Sequence, residues 1–293
     1  MSAIEYIVDN NPSDDDNVIR DGLVAFNNQF IVEDSFHFSV FAKHNNLIVG
    51  GALIYEKSDA LYIGEFWCHE KFRRQGIGTK IMALINRAAI DKQLSKIFAS
   101  AYDFQFPEFY RKQGFIAIGT IPKYMLEHNK IFMRKDILNN DNNAKLIANS
   151  LLNAVEYIVD NNPRSEDDAI INDGVVAFNN KFITEKLVHF SIFAKHNNLV
   201  VGGTSVCESN EALYIDALWC NEDFRKQGLG AKIIDMIYRI AVDKRISKIF
   251  VDTFDFQAPE FYQKQGFHTI GILPKFVLGH DKIFMRKDIS DKM

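Results

Sequence analysis

Cys68-His69-Glu70-Lys71-Phe72-Arg73-Arg74-Gln75-Gly76-Ile77-Gly78-Thr79-Lys80 decides how the rest of this chain is read. A strand-like run, Leu61 to Trp67, precedes it, and a helix-like run, Ile81 to Ile90, follows. A strand, a basic Gly-x-Gly turn and a helix start make an anion cradle. The first N–H groups of a helix have no internal partner and point outward together. Glycine lets the backbone come close to a bulky anion, and flanking arginines add charge. The same design returns at Cys220-Asn221-Glu222-Asp223-Phe224-Arg225-Lys226-Gln227-Gly228-Leu229-Gly230-Ala231-Lys232.

That recurrence extends along the chain. Glu5-Tyr6-Ile7-Val8-Asp9-Asn10-Asn11-Pro12 returns as Glu156 to Pro163, with one residue inserted soon after. Phe109-Tyr110 returns as Phe261-Tyr262, and Lys130 to Asp136 as Lys282 to Asp288. Two copies, each long enough to fold, indicate a duplicated domain rather than a solenoid. The expected division is an N-terminal domain over 1–138, a connector over 139–153 and a C-terminal domain over 154–293. Within the connector, Ala144 to Leu152 reads as a short amphipathic helix.

Each copy orders its elements alike. A strand, Glu5 to Val8, precedes a helix capped by Asp14 to Asp16 and running from about Asn17 to Phe30. Ile19, Leu23, Phe26 and Phe30 share its buried face. Phe36 to Lys43 and Leu47 to Tyr55 form a hairpin around Asn45-Asn46. Leu61 to Cys68 is a central strand, followed by the anion loop and a long helix. Lys96 to Tyr102 is a buried strand, and Pro107 to Gln113 is a short helix ended by Gly114. Phe115 to Ile121 and Lys130 to Asp136 close the unit. Hairpins followed by strand–helix–strand units give an α/β fold with a mixed sheet flanked by helices.

Composition bounds the function classes. The chain has 293 residues, 47% of them apolar, enough for two cores. The net charge of -4 argues against a general nucleic-acid binder, which needs a basic face. Three cysteines, Cys68, Cys207 and Cys220, make no disulfide framework. The N-terminal residues lack the pattern of a secretory leader, and no apolar run is long enough to span a bilayer. These features give the expectation of a cytoplasmic protein without membrane or nucleic-acid partners. Single histidines without partners at ligand spacing give the expectation of no metal.

Arg73 to Gly78 and Arg225 to Gly230 resemble the pyrophosphate-binding motif of the GCN5-related N-acetyltransferase (GNAT) family. The second copy is similar to a bacterial subgroup through Leu213-Tyr214-Ile215-Asp216, Asp252 to Pro259, Phe261-Tyr262, Gly279-His280 and Phe284. The resemblance covers both copies, so it implies two tandem GNAT-like domains, each with a mostly antiparallel central sheet. It implies acetyl-CoA as acyl donor. The pyrophosphate would lie on Arg73, Arg74, Gln75, Gly76, Ile77, Gly78, Thr79 and Lys80. In the second copy it would lie on Arg225, Lys226, Gln227, Gly228, Leu229, Gly230, Ala231 and Lys232. The pantetheine arm would run along Phe66-Trp67-Cys68 and Leu218-Trp219-Cys220. Relatives that pair as homodimers imply an intramolecular pseudo-dimer here.

The implied reaction is direct attack of a primary amine, with a proton supplied to the departing thiolate. The family's acid is often a tyrosine, matching Tyr110 and Tyr262; the alternative for both is half-buried packing. Base candidates are Glu65 and Asp216, and water-mediated deprotonation with no dedicated side-chain base is the alternative. Their matches in the other copy are Ala217 and Gly64, and strand alternation would send these neighbouring positions to opposite faces. Asp103, Asp255 and Asp252 are placed to attract a cationic amine. The alternative for Asp103 and Asp255 is capping of the helices at Pro107 and Pro259. His128 and His280, in matching loops, are further substrate-side candidates. The expected acceptor is a small cationic amine. A peptide or protein amine, or an acetyl-CoA-binding scaffold with decayed catalysis, are the other readings.

Overall fold

The computed structural model describes residues 4–11, 13–31, 36–57, 59–137, 155–184 and 187–289. The expected connector helix lies outside these residues. Fourteen strands and six α-helices are described. In the first repeat they are β1 (Glu5–Asp9), α1 (Asp14–Asn27), β2 (Phe36–His44), β3 (Leu47–Lys57), β4 (Ala60–Cys68), α2 (Ile77–Asp91), β5 (Lys96–Tyr102), α3 (Pro107–Lys112), β6 (Ile116–Met125) and β7 (His128–Asp136). The second repeat supplies β8 (Val155–Asp160), α4 (Ser165–Asn179), β9 (Val188–His196), β10 (Leu199–Glu208), β11 (Ala212–Cys220), α5 (Leu229–Asp243), β12 (Lys248–Phe254), α6 (Pro259–Lys264), β13 (His268–Val277) and β14 (His280–Asp288).

The compact units do not follow the repeat boundaries. One unit is Asp34–Thr184, here the mid-chain unit. The other joins Met1–Glu33 to Glu185–Met293, here the two-piece unit. The mid-chain sheet runs β6-β7-β5-β4-β3-β2-β8, and the two-piece sheet runs β1-β9-β10-β11-β12-β14-β13. Each sheet therefore takes its edge strand from the other repeat. β8 pairs antiparallel with β2, with Val159 opposite Val40, and β1 pairs antiparallel with β9, with Val8 opposite Ile192. The compact units therefore cross the boundary between the repeats expected at 1–138 and 154–293. The first strand and helix of each repeat complete the other repeat's sheet, a long-range choice that local periodicity does not encode.

Among the described residues, the only parallel pair in each sheet is the central one, β4 with β5 or β11 with β12. The rest are antiparallel, as the hairpin spacing predicts. Asn45 and Asn46 adopt the left-handed conformation that a tight hairpin turn demands. Helix α2 buries Ile77, Ile81, Met82, Ile85 and Ala89 on one stripe at helical spacing. Each such isoleucine withdraws an apolar side chain from water, worth roughly 2 kcal/mol.

The opposite face of each sheet receives the helix from the other repeat. Helix α4 packs on β3 and β4, with Ile171 fully buried against Phe41 and Leu53. Its Gly174 lies so close to Trp67 that a Cβ there would meet the indole at 2.3 Å. Gly22 of α1 meets Trp219 in the same way, also at 2.3 Å. Helix α1 ends at Asn27 rather than near Phe30, and Asn27 is buried while Phe30 is exposed. At its start, the Ser13 N–H donates to the Asp16 carboxylate at 2.8 Å, half of a capping box.

Candidate active site

The anion loop is tied down by its own side chains. In the mid-chain unit, Arg73 Nε donates to the Cys68 carbonyl at 2.9 Å, and Gln75 Nε2 donates to the Lys71 carbonyl at 2.8 Å. In the two-piece unit, Arg225 donates to Cys220 at 3.0 Å and Gln227 to Asp223 at 2.7 Å. The Arg73 guanidinium also lies 5.0 Å from the Phe178 ring, and that of Arg225 lies 5.2 Å from Phe26. The first arginine of each loop thus locks the turn to its strand and to the incoming helix. Arg74 and Lys226, both exposed, follow at φ 61° and 59°.

Gly76 and Gly228 cap α2 and α5 at φ 86° and 85°, with open space where a Cβ would sit. Only glycine enters that conformation without strain. The first intrahelical bonds are Lys80 N–H to Gly76 and Lys232 N–H to Gly228. The amides of Ile77, Gly78 and Thr79, and of Leu229, Gly230 and Ala231, precede them and lack an i−4 carbonyl within the helix. Ile77 and Leu229 bury their side chains in the cores, so these two positions offer the loop only their main chain.

Beside the loop the central strands part. β4 pairs with β5 only from Ala60–Lys96 to Ile63–Ala99, and β11 with β12 only from Ala212–Lys248 to Ile215–Val251. Beyond that, β4 stays with β3 to Cys68, while β5 stays with β7 to Tyr102. The result is a wedge bordered by Phe66, Trp67 and Cys68, or by Leu218, Trp219 and Cys220. Trp67 and Trp219 turn their rings to the helices from the other repeat, which leaves backbone as their contribution to the wedge. Burial pushes both Cys68 and Cys220 thiols up to about 11, against the pull of Arg73 and Arg225. Neither is an activated nucleophile.

Tyr110 and Tyr262 are buried on the short helices α3 and α6. Phe66 approaches Tyr110 at 6.1 Å between ring centres. Burial, and then the charge of Glu65, raises the Tyr110 phenol above its ordinary range. Burial, then Asp252 and Cys220, does the same for Tyr262. Both phenols keep their protons near neutrality.

The two units place their carboxylates differently. A β-bulge interrupts each central strand: Glu65 pairs with Leu53 and Ile63 with Ile54, leaving Gly64 as the extra residue. Asp216 is the extra residue between Ala217 and Ile215. Simple alternation therefore does not hold across this pair of positions. A Cβ on Gly64 would strike the Tyr55 ring at 2.5 Å, whereas Cys207 stands at the Tyr55 position of the other repeat. That smaller neighbour leaves room for Asp216. Burial raises the Glu65 carboxyl, opposed by Lys130. Partial burial pushes the Asp216 carboxyl up to about 6, with His189 at 4.0 Å working against it and Asp252 with it. Asp252 itself meets Lys282 at 2.8 Å.

Asp103 and Asp255 do not cap α3 and α6. Asp103 accepts from His128 Nδ1 at 2.8 Å and from the Asn129 amide at 2.9 Å. Asp255 accepts from His280 Nδ1 at 2.8 Å and from the Asp281 amide at 3.1 Å. Slight burial pushes the Asp103 carboxyl up, but the Asn129 amide and His128 outweigh it and hold it below the ordinary range. The four acid and histidine candidates thus form two matching pairs beyond the ends of β5 and β12.

Several residues there escaped the sequence reading. Lys130 lies 5.0 Å from the Tyr124 ring and 5.7 Å from Tyr102, and Lys282 lies 5.7 Å from Phe254 and Phe276. Phe104 stacks between Tyr102 and Phe182, and Phe256 between Phe254 and Phe30. Lys130 and Lys282 recur at matching positions in the sequence, a signal that could have marked them. Phe30 and Phe182 recur in the same way, but recurrence alone does not show that each reaches the other repeat's bend.

The model of the acetyltransferase (GNAT) family matches residues 5–115 and 155–267. A blasticidin-S acetyltransferase from Streptomyces morookaense is 30% identical over 83 residues, which are 26% of this chain and 57% of that protein. The chain thus spans little more than half the length of this curated relative. Among solved structures, an acetyltransferase from Bacillus cereus is 30% identical, with a TM-score of 0.40, over 43% of this chain and 94% of that one. A GNAT family acetyltransferase from Elizabethkingia anophelis with acetyl-CoA bound is 20% identical, with a TM-score of 0.32, over 38% and 82%. Among the described residues, no cluster of three His, Cys, Asp or Glu side chains could hold a metal, and no helix is long and apolar enough to cross a membrane.

Proposed function

This chain belongs to the acetyltransferase (GNAT) family, and from that premise we propose that each compact unit transfers an acetyl group from acetyl-CoA to a primary amine of a small cationic molecule. The observation that carries this reading is the coincidence, in both units, of three features. A glycine-capped helix start, a parted central strand pair and a buried protonated tyrosine lie together. The residues fit the donor. The amides of Ile77 to Thr79 and of Leu229 to Ala231 would hold the pyrophosphate, with Arg74 and Lys226 adding charge. The bound donor supplies the acetyl thioester. Backbone along Phe66 to Cys68 and Leu218 to Cys220 would align it in the wedge.

The chain's own groups then handle protons. In the mid-chain unit Glu65, raised by burial, accepts a proton from the incoming ammonium. In the two-piece unit Ala217 replaces that acid, and Asp216 takes its part. As the C–N bond forms and the C–S bond breaks, Tyr110 or Tyr262 gives its phenolic proton to the departing sulfur. The Asp103–His128 and Asp255–His280 pairs place negative charge beside the wedge, which favours a cationic acceptor. A relative named for blasticidin S supports a small-molecule amine over a protein.

Calorimetric titration with acetyl-CoA, followed by thiol release across a panel of polyamines and aminoglycosides, tests the reading. Two donor sites per chain and amine-dependent release are expected. Donor binding without release on any amine would overturn it in favour of a scaffold.

A further inference from the structure

The parts that hold the bend between each central strand and its tyrosine helix come from both repeats. In the mid-chain unit, Gln105 Oε1 accepts from the Tyr102 amide at 2.8 Å, closing the bend that runs from Asp103 to α3. Gln105 Nε2 in turn donates to Asn179 Oδ1 at 2.7 Å, at the last residue of α4. In the two-piece unit, Gln257 accepts from the Phe254 amide at 2.8 Å and from Thr253 at 3.1 Å, and donates to Asn27 at 2.7 Å. Asn27 is only 5% exposed, so this bond is shielded from competing water. The turn that follows each helix delivers Phe182 onto Phe104 at 4.5 Å, and Phe30 onto Phe256 at 4.6 Å. Phe104 and Phe256 abut His128 and His280 at 4.6 and 4.8 Å.

We propose that each active site is completed by the other repeat, with Asn179 the positioning residue for the Tyr110 site and Asn27 for the Tyr262 site. This rests on the acetyltransferase reading. Asn179 touches neither donor nor acceptor; it fixes Gln105, which sets the bend and so the aim of α3. A misaimed acid slows the chemical step while leaving the anion loop intact.

Two measurements on the full chain test this. The first needs no turnover. Glu5 lies opposite Lys195, and Glu156 opposite Lys43. After mild oxidation, Glu5→Cys with Lys195→Cys should give a linked peptide by mass spectrometry, and Glu5→Cys with Lys43→Cys should not. The reverse pattern would overturn the proposal. The second is kinetic. With Tyr262→Phe silencing one site, Asn179→Ala should lower kcat by roughly 10- to 100-fold, with the KM for acetyl-CoA within about twofold. Asn179→Asp, which retains an acceptor for Gln105, should restore most of the rate. With Tyr110→Phe instead, Asn27→Ala should cause the matching loss. Losses that track the tyrosine of the same repeat would overturn the proposal. If neither background turns over any amine, the acetyltransferase reading fails, and the crosslink still decides which repeat completes which site.

Discussion

Replacing Asp216 with asparagine should make the protein more stable and its two-piece site less active, with opposite pH signatures. Asp216 sits on a bulge with His189 of β9 at 4.0 Å and feels Asp252 of β12, while its own charge helps raise the Cys207 thiol of β10. Its carboxyl moves from an ordinary 3.8 to about 6. For a wholly buried group that difference corresponds to roughly 3 kcal/mol. The side chain is 51% exposed, so solvent screening reduces the expected effect to about 1 kcal/mol. The folded chain holds this proton more tightly than the unfolded chain. The favourable contribution is therefore complete below the unfolded value and is lost as pH rises to about 6. Asp216→Asn removes that penalty. Urea unfolding should show a gain of about 1 kcal/mol at pH 8 and about half of that at pH 5, with an unchanged m value. Activity should move the other way. With Tyr110→Phe silencing the mid-chain site, the parent rate should fall as pH drops through about 6. Asp216→Asn should lose that limb and run roughly 100-fold slower at pH 8. An acid limb that survives the substitution, or no stability gain at pH 8, would refute the role of this carboxylate.

Three further outcomes follow from the same geometry. Tyr110→Phe and Tyr262→Phe should each lower kcat of their own unit by roughly 100-fold, with acetyl-CoA affinity by calorimetry within about twofold. Full turnover in the double variant would remove the acid role. Gly228→Ala forces a left-handed alanine at φ 85°, at a cost of about 1 kcal/mol. Calorimetry should show donor binding weakened by about tenfold at one of two sites; unaltered binding would argue against the cradle. Gly22→Ala drives a Cβ into the Trp219 indole and should lower stability by about 2 kcal/mol in urea unfolding, with partial recovery in Gly22→Ala/Trp219→Phe. No loss would mean that α1 does not lie on β11.

Much of each unit is local physics, and that part was legible. Lys96 to Tyr102 reads as a strand from its composition and is one, residue for residue. The paired asparagines announce a hairpin, and Gly76 marks the helix start because no other residue sits easily at its φ. The recurring loop, the tyrosine, and the Asp103/Asp255 and His128/His280 positions were visible as matches between repeats, whereas Glu65, Asp216 and Asp252 have no counterpart acid. The Asp103–His128 pair was not, since the partners lie on different elements and meet only through sheet pairing. Lys130 and Lys282 were overlooked for the same reason, as their ring neighbours come from β5 and β6, or β12 and β13.

By itself, the sequence determined that the fold is written twice and that each copy carries a basic glycine turn between strand and helix. Which strand completes which sheet was decided only in three dimensions. Glu5 to Asp9 and Glu156 to Asp160 are the same five residues, and both helices bring a glycine to a tryptophan. Either strand satisfies either sheet edge, so hydrophobic pattern and hydrogen-bonding capacity are degenerate between the two pairings. Tertiary contact breaks that degeneracy, and with it joins Asn27 to Gln257 and Asn179 to Gln105, in the bend ahead of the opposite repeat's tyrosine helix.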